Sequence, residues 1–483
     1  MANLRRSLVV TFFSSSGAAL AKFAVSVILA RLLSPSEIGV YSMTVVFVNI
    51  AHIFRDFGVS TYLQREPDLT EEKIRSATGV AFASSWLIAA LLYLCSGAIG
   101  RWFDEPDIVP VMEVLALGFL FIPFGSVTNA LLTRELAAEK QAMINAVGTI
   151  SFCVSCVMLA VLGYGSVGLA WANLINIVVT AIACLPFRAK GVSWVPSFRH
   201  WRGIVNFGAG SLISNIAVKV NEAVPDMLLG KLGSASLVGL FSRANSTVAI
   251  FSHVAGSTVN YGAISYLAKA YHQKEPIAPI LTRASVLLTG VGWPALALTA
   301  VLGRDIVLAL YGPAWTECVA AVLPLSIAAM VWMMYSYTGM ALTAIGRPYL
   351  GAVPIGVMVL TRIGFGILMY DGTVGTFAWS VCLATIVATP VRAAQQYKYL
   401  HFKNADLIRA LAPSAAVSAI CALVAYAGLW LLPAALPPVV RLLLLAAPLA
   451  LAWYGALRIC RHGVLDEVHK LGGALKARLP RRA

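Results

Sequence analysis

The stretch Leu29–Ser42, LARLLSPSEIGVYS, has a second copy in this chain. The copy is Leu229–Ser242, LGKLGSASLVGLFS, at a constant offset of 200 residues and without a gap. Six of the fourteen positions are identical, and Arg31/Lys231, Ile38/Val238 and Tyr41/Phe241 are conservative replacements. In each copy a short turn-like segment with serines and a glycine separates two long apolar runs, so it reads as the joint between two membrane spans. A second match links Gly163–Ala172, GYGSVGLAWA, to Tyr370–Ser380, YDGTVGTFAWS, each at the start of the sixth span of its half. Two matches at corresponding places predict two halves of six spans each. Six is even, so both halves enter from the same side. The repeat is therefore parallel, a transporter plan that places the substrate site between the halves.

Composition agrees. Of 483 residues, 59% are hydrophobic and 12% charged, with a mean hydropathy of +0.81; a soluble chain carries about 25% charged residues. A span needs about 20 mostly apolar residues, and fourteen such segments are found, from about 10–33 to about 439–460. The expected fold is an all-α polytopic membrane protein of about fourteen helices. Residues 1–199 are read as an N-terminal six-helix lobe and 200–400 as a C-terminal six-helix lobe. Two further helices over 401–460 and a basic cytoplasmic tail over 461–483 complete the chain. The N-terminal MANLRRSLVVTFF looks like a signal peptide, but its apolar run continues to about Leu33 without a small-residue cleavage site, so it is read as the first span.

The net charge of +15 is a property of the loops. With the N-terminus inside, the cytoplasmic loops and both termini hold 26 of the 36 Lys and Arg residues, and the outside loops hold five: Arg31, Arg101, Lys231, Arg304 and Arg441. This asymmetry predicts both termini in the cytoplasm. The basic excess then faces anionic membrane lipid rather than nucleic acid. The outside loops are too short to carry a catalytic domain. Cys153 and Cys156 form a CxxC, but on an apolar helix, where they read as core. No GxxxxGK(S/T) loop is present, and no cofactor or metal is expected.

Charges inside the spans are the exception to this pattern. Span seven contains NIAVKVNEAVPD, Asn215–Asp226. Asn215, Lys219, Glu222 and Asp226 recur at helical spacing, within roughly 60° of one another on one face. Pro225 lies in the stripe and is expected to kink the span. A charge at the bilayer centre costs about 2.5–3.5 kcal/mol on insertion scales. The stripe must therefore line a cavity or pair internally, and Lys219 with Glu222 at i, i+3 are placed to pair. Lys22 in span one aligns with Glu222 at the repeat offset. Arg243 and Asn245 lie in span eight and Arg362 in span eleven. Lys22, Asn215, Lys219, Arg243, Asn245 and Arg362 are read as substrate-binding, since clustered cations suit phosphate or diphosphate. Glu222 and Asp226 are read as ion-coupling groups, and Arg55, Asp56 and Pro225 as structural or gating.

Several of these segments resemble the polysaccharide transporter family of the multidrug/oligosaccharidyl-lipid/polysaccharide (MOP) flippase superfamily. They are Leu29–Met43, LARLLSPSEIGVYSM; Phe54–Ala77, FRDFGVSTYLQREPDLTEEKIRSA; and Val238–Ser246, VGLFSRANS. The resemblance covers about the first 400 residues. It implies a MATE-like fold and a flippase of the bacterial inner membrane, working by alternating access. The implied substrate is an undecaprenyl-diphosphate-linked oligosaccharide for O-antigen, capsule or exopolysaccharide. It further implies a cationic cavity at Lys22, Lys219 and Arg243, with Arg362 a weaker match, and proton or sodium coupling. A polysaccharide polymerase and a chain-length regulator are the implied protein partners. The alternatives are a peptidoglycan-precursor flippase or a drug/cation antiporter of the same superfamily, the latter expected to prefer an acidic cavity. A membrane glycosyltransferase or ligase is remote, because the largest outside carboxylate cluster, RWFDEPD at Arg101–Asp107, sits in a tiny turn.

Overall fold

In the computed structural model, residues 2–56, 58–188, 195–260, 267, 273 and 275–467 are described. Every regular element among them is helical. The principal helices are α1 (Ala2–Leu32), α2 (Pro35–Asp56), the short α3 (Val59–Arg65), α4 (Glu71–Phe103), α5 (Ile108–Arg134), α6 (Ala138–Val161), α7 (Gly165–Cys184), α8 (Trp201–Leu232) and α9 (Ala235–Asn260). They continue as α10 (Ile277–Val301), α11 (Gly303–Leu310), α12 (Val319–Met334), α13 (Thr338–Ala344), α14 (Ala352–Met369), α15 (Val374–Leu400), α16 (Asn404–Leu431) and α17 (Pro438–Ile459). Helices occupy all fourteen positions read from hydropathy. Among the described residues, twelve segments are long and apolar enough to cross a membrane. α8 and α9 hold the seventh and eighth positions, and parts of both lie outside the residues whose side chains are described.

The repeated joint shows why its sequence is kept twice. Ser34 and Glu37 form a capping box at the start of α2. The Ser34 hydroxyl accepts from the Glu37 N–H (3.3 Å), and the Glu37 carboxylate accepts from both the Ser34 N–H and hydroxyl (2.8 Å each). Two amides that the first helical turn leaves unpaired are thereby satisfied, with Pro35 at the position where no N–H is needed. In the second copy the Ser234 hydroxyl accepts from the Leu237 N–H (3.4 Å). The two glycines of the repeat meet each other. A Cβ on Gly39 would overlap the Ala235 carbonyl, and a Cβ on Gly239 would overlap the Pro35 carbonyl. Lipid tails are as apolar as leucine, so helices in a bilayer are held by close packing rather than by hydrophobic exclusion. Glycine permits that approach.

The chain divides into two compact units, Met1–Gly239 and Leu240–Ala483. In the first, α4 packs along α5, α7 against α5 and α6, α1 along α6, and α8 along α2 and α4. α8 runs unbroken through Pro225. Its C-terminal end is pinned by Lys231, which donates to the Trp102 carbonyl (2.7 Å) and pairs with Asp104 (3.1 Å). α4 has 33 residues, about 50 Å at the helical rise, so it projects beyond a core of about 30 Å. Its projecting N-terminus is capped by Thr70 and tied by Glu72 to Arg199 (2.9 Å). Nearby, Arg134 closes the end of α3 by donating to the Leu63 and Glu66 carbonyls (3.0 and 2.6 Å).

In the second unit, α15 packs on α12 and α14, and α10 packs on α16 and α12. Two polar contacts fix the last helices. Asp305 in the first turn of α11 pairs with Arg441 of α17 (3.1 Å), both side chains largely buried. His462, just past α17, fits against Gly290, where any Cβ would strike the ring. Its Nδ1 accepts from the Val464 N–H (3.2 Å), which assigns the proton to Nε2. Nε2 then donates to Ser414 Oγ (2.9 Å), Ser414 to Thr289 (2.9 Å), and Thr289 to the Ser285 carbonyl (2.8 Å). Burial holds the ring below the usual imidazole range.

Candidate functional site

Within the first unit, α1, α2, α3, α5, α6 and α7 line an open-sided cavity of about 550 Å³. Its lining mixes polar groups with apolar surface from Ala18, Ile122, Ile177 and Ala181, although every contributing helix is apolar overall. Lys22 and Arg55 supply two positive charges, and among the described residues no carboxylate lines the cavity. Ser14 and Ser15 of α1, Ser60 of α3, Ser126 and Asn129 of α5, Asn145 and Thr149 of α6, and Asn176 and Thr180 of α7 supply neutral hydrogen-bonding groups.

The local sequence explains how these groups converge. On α6, Asn145, Gly148 and Thr149 lie at spacings of three and four, as Asn176 and Thr180 do on α7. Such spacing places residues on one helix face. Gly148 lets that face of α6 approach α7, since a Cβ there would overlap the Thr180 hydroxyl and lie 2.9 Å from Asn176 Oδ1. The Thr180 hydroxyl donates to Asn176 Oδ1 (3.2 Å). Lys22 extends from the middle of α1, its ammonium 5.9 Å from the centre of the Phe152 ring. Arg55 ends α2. Its nearest carboxylate is Asp56 at 3.9 Å, which also accepts from the Ser60 hydroxyl (3.2 Å). Arg55 Nε makes no hydrogen bond among the described residues. An ammonium and an incompletely paired guanidinium at a pocket with no carboxylate in its lining among the described residues have the chemistry that suits an anion with two or more oxygens.

The remaining sequence-derived residues lie elsewhere. Lys219 and Glu222 pair on α8 at 2.7 Å, both about half exposed. Asp226, one turn further along, is half-buried, and Pro225 is buried within the helix. The side chain of Asn215 lies outside the described residues. In the second unit, Arg243 stands over the Tyr311 and Trp315 rings, 6.0 and 5.8 Å from their centres. Both rings are almost wholly buried, and burial raises the Tyr311 phenol above its usual range. Asn245 is exposed on α9, and Arg362 lies on α14.

The cavity thus unites two of the charges read from sequence, Lys22 and Arg55, with nine neutral residues that a search for charges passed over. The signal was present. Asn145/Thr149 and Asn176/Thr180 are polar pairs at i, i+4 inside apolar runs, the same pattern that drew attention to span seven.

A family model described as polysaccharide biosynthesis protein matches residues 28–320. The chain belongs to this family. Relatives include the teichuronic acid biosynthesis protein TuaB of Bacillus subtilis, 22% identical over 351 residues, covering 70% of each chain. The succinoglycan biosynthesis transport protein ExoT of Rhizobium meliloti is 22% identical over 298 residues, covering 61% of this chain and 60% of ExoT. Among solved structures, the lipid II flippase MurJ superposes with a TM-score of 0.75 over 93% of this chain and 97% of MurJ, at 14% identity. At that identity the likeness concerns the fold alone: this chain shares the helical architecture of that structure.

Proposed function

We propose that the chain is a flippase that carries undecaprenyl-diphosphate-linked oligosaccharide repeat units across the bacterial inner membrane, from the cytoplasmic to the periplasmic face. It serves assembly of O-antigen, capsule or exopolysaccharide, acts by alternating access, and does not itself catalyse bond formation. Both termini lie in the cytoplasm, on the strength of the Lys and Arg asymmetry. The observation that carries the reading is the cavity lining, which combines two cations, hydroxyls and amides with apolar surface and, among the described residues, no carboxylate. Moving a diphosphate and its sugars through hydrocarbon unaided is prohibitive, because each unsatisfied polar group costs several kcal/mol. Lys22 and Arg55 replace water around the phosphates, while the polyprenyl tail stays in lipid. A drug/cation antiporter needs the opposite lining, with carboxylates facing a positive ligand. The names of ExoT and TuaB, a succinoglycan biosynthesis transport protein and a teichuronic acid biosynthesis protein, support the same substrate class. Glu222 and Asp226 on α8 are the groups assigned to proton or sodium coupling, and a polymerase and chain-length regulator are the proposed protein partners.

The test is polymer export in cells lacking the chromosomal copy. Loss of export, with lipid-linked oligosaccharide accumulating on the cytoplasmic face and recovery on re-expression, is expected. Continued export, or accumulation of lipid-linked product on the periplasmic face, sinks the flippase reading.

A further inference from the structure

The end of α15 in the second unit carries a basic and aromatic surface that the flippase reading does not use. α15 has 27 residues, about 40 Å at the helical rise, against a hydrocarbon core of about 30 Å. Its uncharged run covers 374–391 and stops at Arg392. The excess length therefore lies at the Arg392–Leu400 end, at head-group depth, on the side that the Lys and Arg asymmetry reads as cytoplasmic. Tyr399, half-buried beside the helix end, seats two cations on its ring. The Arg347 guanidinium, from the turn between α13 and α14, is 5.3 Å from the ring centre, and the Lys398 ammonium is 5.4 Å from it. The turn is fixed to α15 by the Gln395 side-chain amide, which donates to the Leu350 carbonyl (2.7 Å). Tyr349, two residues after Arg347, and Tyr397, next to Lys398, are 63% and 61% exposed.

Arg347 and Lys398 are both exposed, and neither makes an ion pair or hydrogen bond with a described residue. An aromatic face orients a cation without neutralising it. Two like charges thus share one ring, and an anion between head groups and helix end relieves their repulsion. Exposed phenols add hydroxyl donors beside them, and tyrosine is at home at the membrane–water boundary. We propose that Arg347, Lys398 and Tyr399, with Tyr349 and Tyr397, form a docking site for the head group of an anionic phospholipid of the cytoplasmic leaflet. The bound lipid ties the α13–α14 turn to the end of α15. Charge complementarity and depth in the membrane select this occupant. The site is separate from the cavity of the first unit and does not depend on what that cavity carries.

The experiment titrates phosphatidylglycerol or phosphatidylcholine into delipidated full-length protein in detergent. Native mass spectrometry follows the tightest-bound lipid, and the melting temperature is read in parallel. Wild type is expected to bind phosphatidylglycerol saturably, with a rise in melting temperature, and phosphatidylcholine at least about 10-fold more weakly. Arg347→Gln and Lys398→Gln each weaken phosphatidylglycerol about 5-fold, and the double variant about 25-fold. Lys403→Gln with Arg409→Gln removes the same charge from exposed positions on the same side and weakens binding less than about two-fold. Tyr399→Phe keeps the ring and binds as wild type does. Tyr399→Leu keeps both charges but removes their seat, and loses at least about 5-fold. If Tyr399→Leu fails to fold, the Arg347 and Lys398 variants against the Lys403 and Arg409 control decide alone. The proposal is overturned if the control pair loses as much as the Arg347 and Lys398 pair, which would leave only bulk charge. It is equally overturned if phosphatidylcholine binds as well, or if undecaprenyl diphosphate or inorganic phosphate displaces phosphatidylglycerol at lower concentration than phosphatidylglycerol itself requires.

Discussion

Replacing Lys22 by glutamine keeps a polar side chain of similar reach and removes one of the two positive charges in the cavity. Among the described residues no carboxylate lines the cavity, so the Lys22 charge has no acidic partner in the lining and is available to a ligand. A hydrogen bond to a charged group contributes about 1.5–3 kcal/mol, which is roughly 10- to 150-fold in affinity. Lys219 is the internal control. It is already bound to Glu222 at 2.7 Å, and both are well exposed, so the pair is worth at most about 1 kcal/mol. Lys219→Gln therefore weakens binding less than about 5-fold. The assay is the dissociation constant of purified protein in nanodiscs for undecaprenyl diphosphate, with polymer export measured in parallel in deletion cells. Lys22→Arg retains the charge and keeps at least part of the binding. Wild-type affinity for Lys22→Gln, or an equal loss for Lys219→Gln and Lys22→Gln, refutes the reasoning that the unneutralised cation makes this cavity the anion site.

Three further perturbations test the scaffold. Gly39→Val puts a branched side chain where even a Cβ overlaps the Ala235 carbonyl; overpacking of this kind costs about 1–3 kcal/mol, read as a lower melting temperature together with reduced export, and a variant that melts and exports like wild type removes the close contact. Asp305→Asn leaves Arg441 without its buried partner and should cost about 3–5 kcal/mol, whereas replacing both residues by leucine should recover most of the loss; thermal denaturation in detergent compares the two. Acidification should destabilise the second unit through His462. Its folded pKa lies below the unfolded imidazole value, about 6.5, so the unfolded state binds more protons as pH falls. The stability contribution is complete above that value and is lost as pH drops below it toward the folded pKa. His462→Gln, which does not titrate, should flatten the dependence of melting temperature on pH between 7.5 and 5; an unchanged slope assigns the dependence to other groups.

Much of the architecture is legible in the sequence because membrane helices announce themselves. Length and hydropathy place the helices, and the offset of 200 residues locates two equivalent joints. The spacing of three between Lys219 and Glu222 foretells the ion pair that forms. Legibility falls where a group's meaning depends on which helices become neighbours. Arg55 and Asp56, adjacent at the end of α2, stay within 3.9 Å of each other, but their pairing says nothing of the cavity beside them. Asp56 turns toward Ser60, and Arg55 lines the cavity. The asparagines are weaker signals still. One amide in one apolar helix is easily a packing residue. Asn129, Asn145 and Asn176 gain significance only because α5, α6 and α7 pack together around Gly148 and bring all three to one space.

The repeat itself separates packing from chemistry. Where the two copies agree, the shared residues build the joint: Ser34 and Ser234 cap their helices, and Gly39 and Gly239 permit the contact between those helices. Where they differ, the cavity begins. Lys22 corresponds to Glu222, and Arg55 to Ala255. A duplicated bundle needs the same turn twice, because every helix start leaves the same amides unpaired and every close crossing needs the same missing Cβ. It does not need the same cavity twice. One cationic pocket is enough to hold a diphosphate, and a second would double the cost of unpaired charge in the membrane. On this argument, exchanging capping residues between the two copies should leave transport intact, whereas exchanging Lys22 with Glu222 should abolish it. A swapped Lys22→Glu, Glu222→Lys protein that exports polymer at the wild-type rate would show that total charge, and not its placement in the cavity, is what the substrate reads.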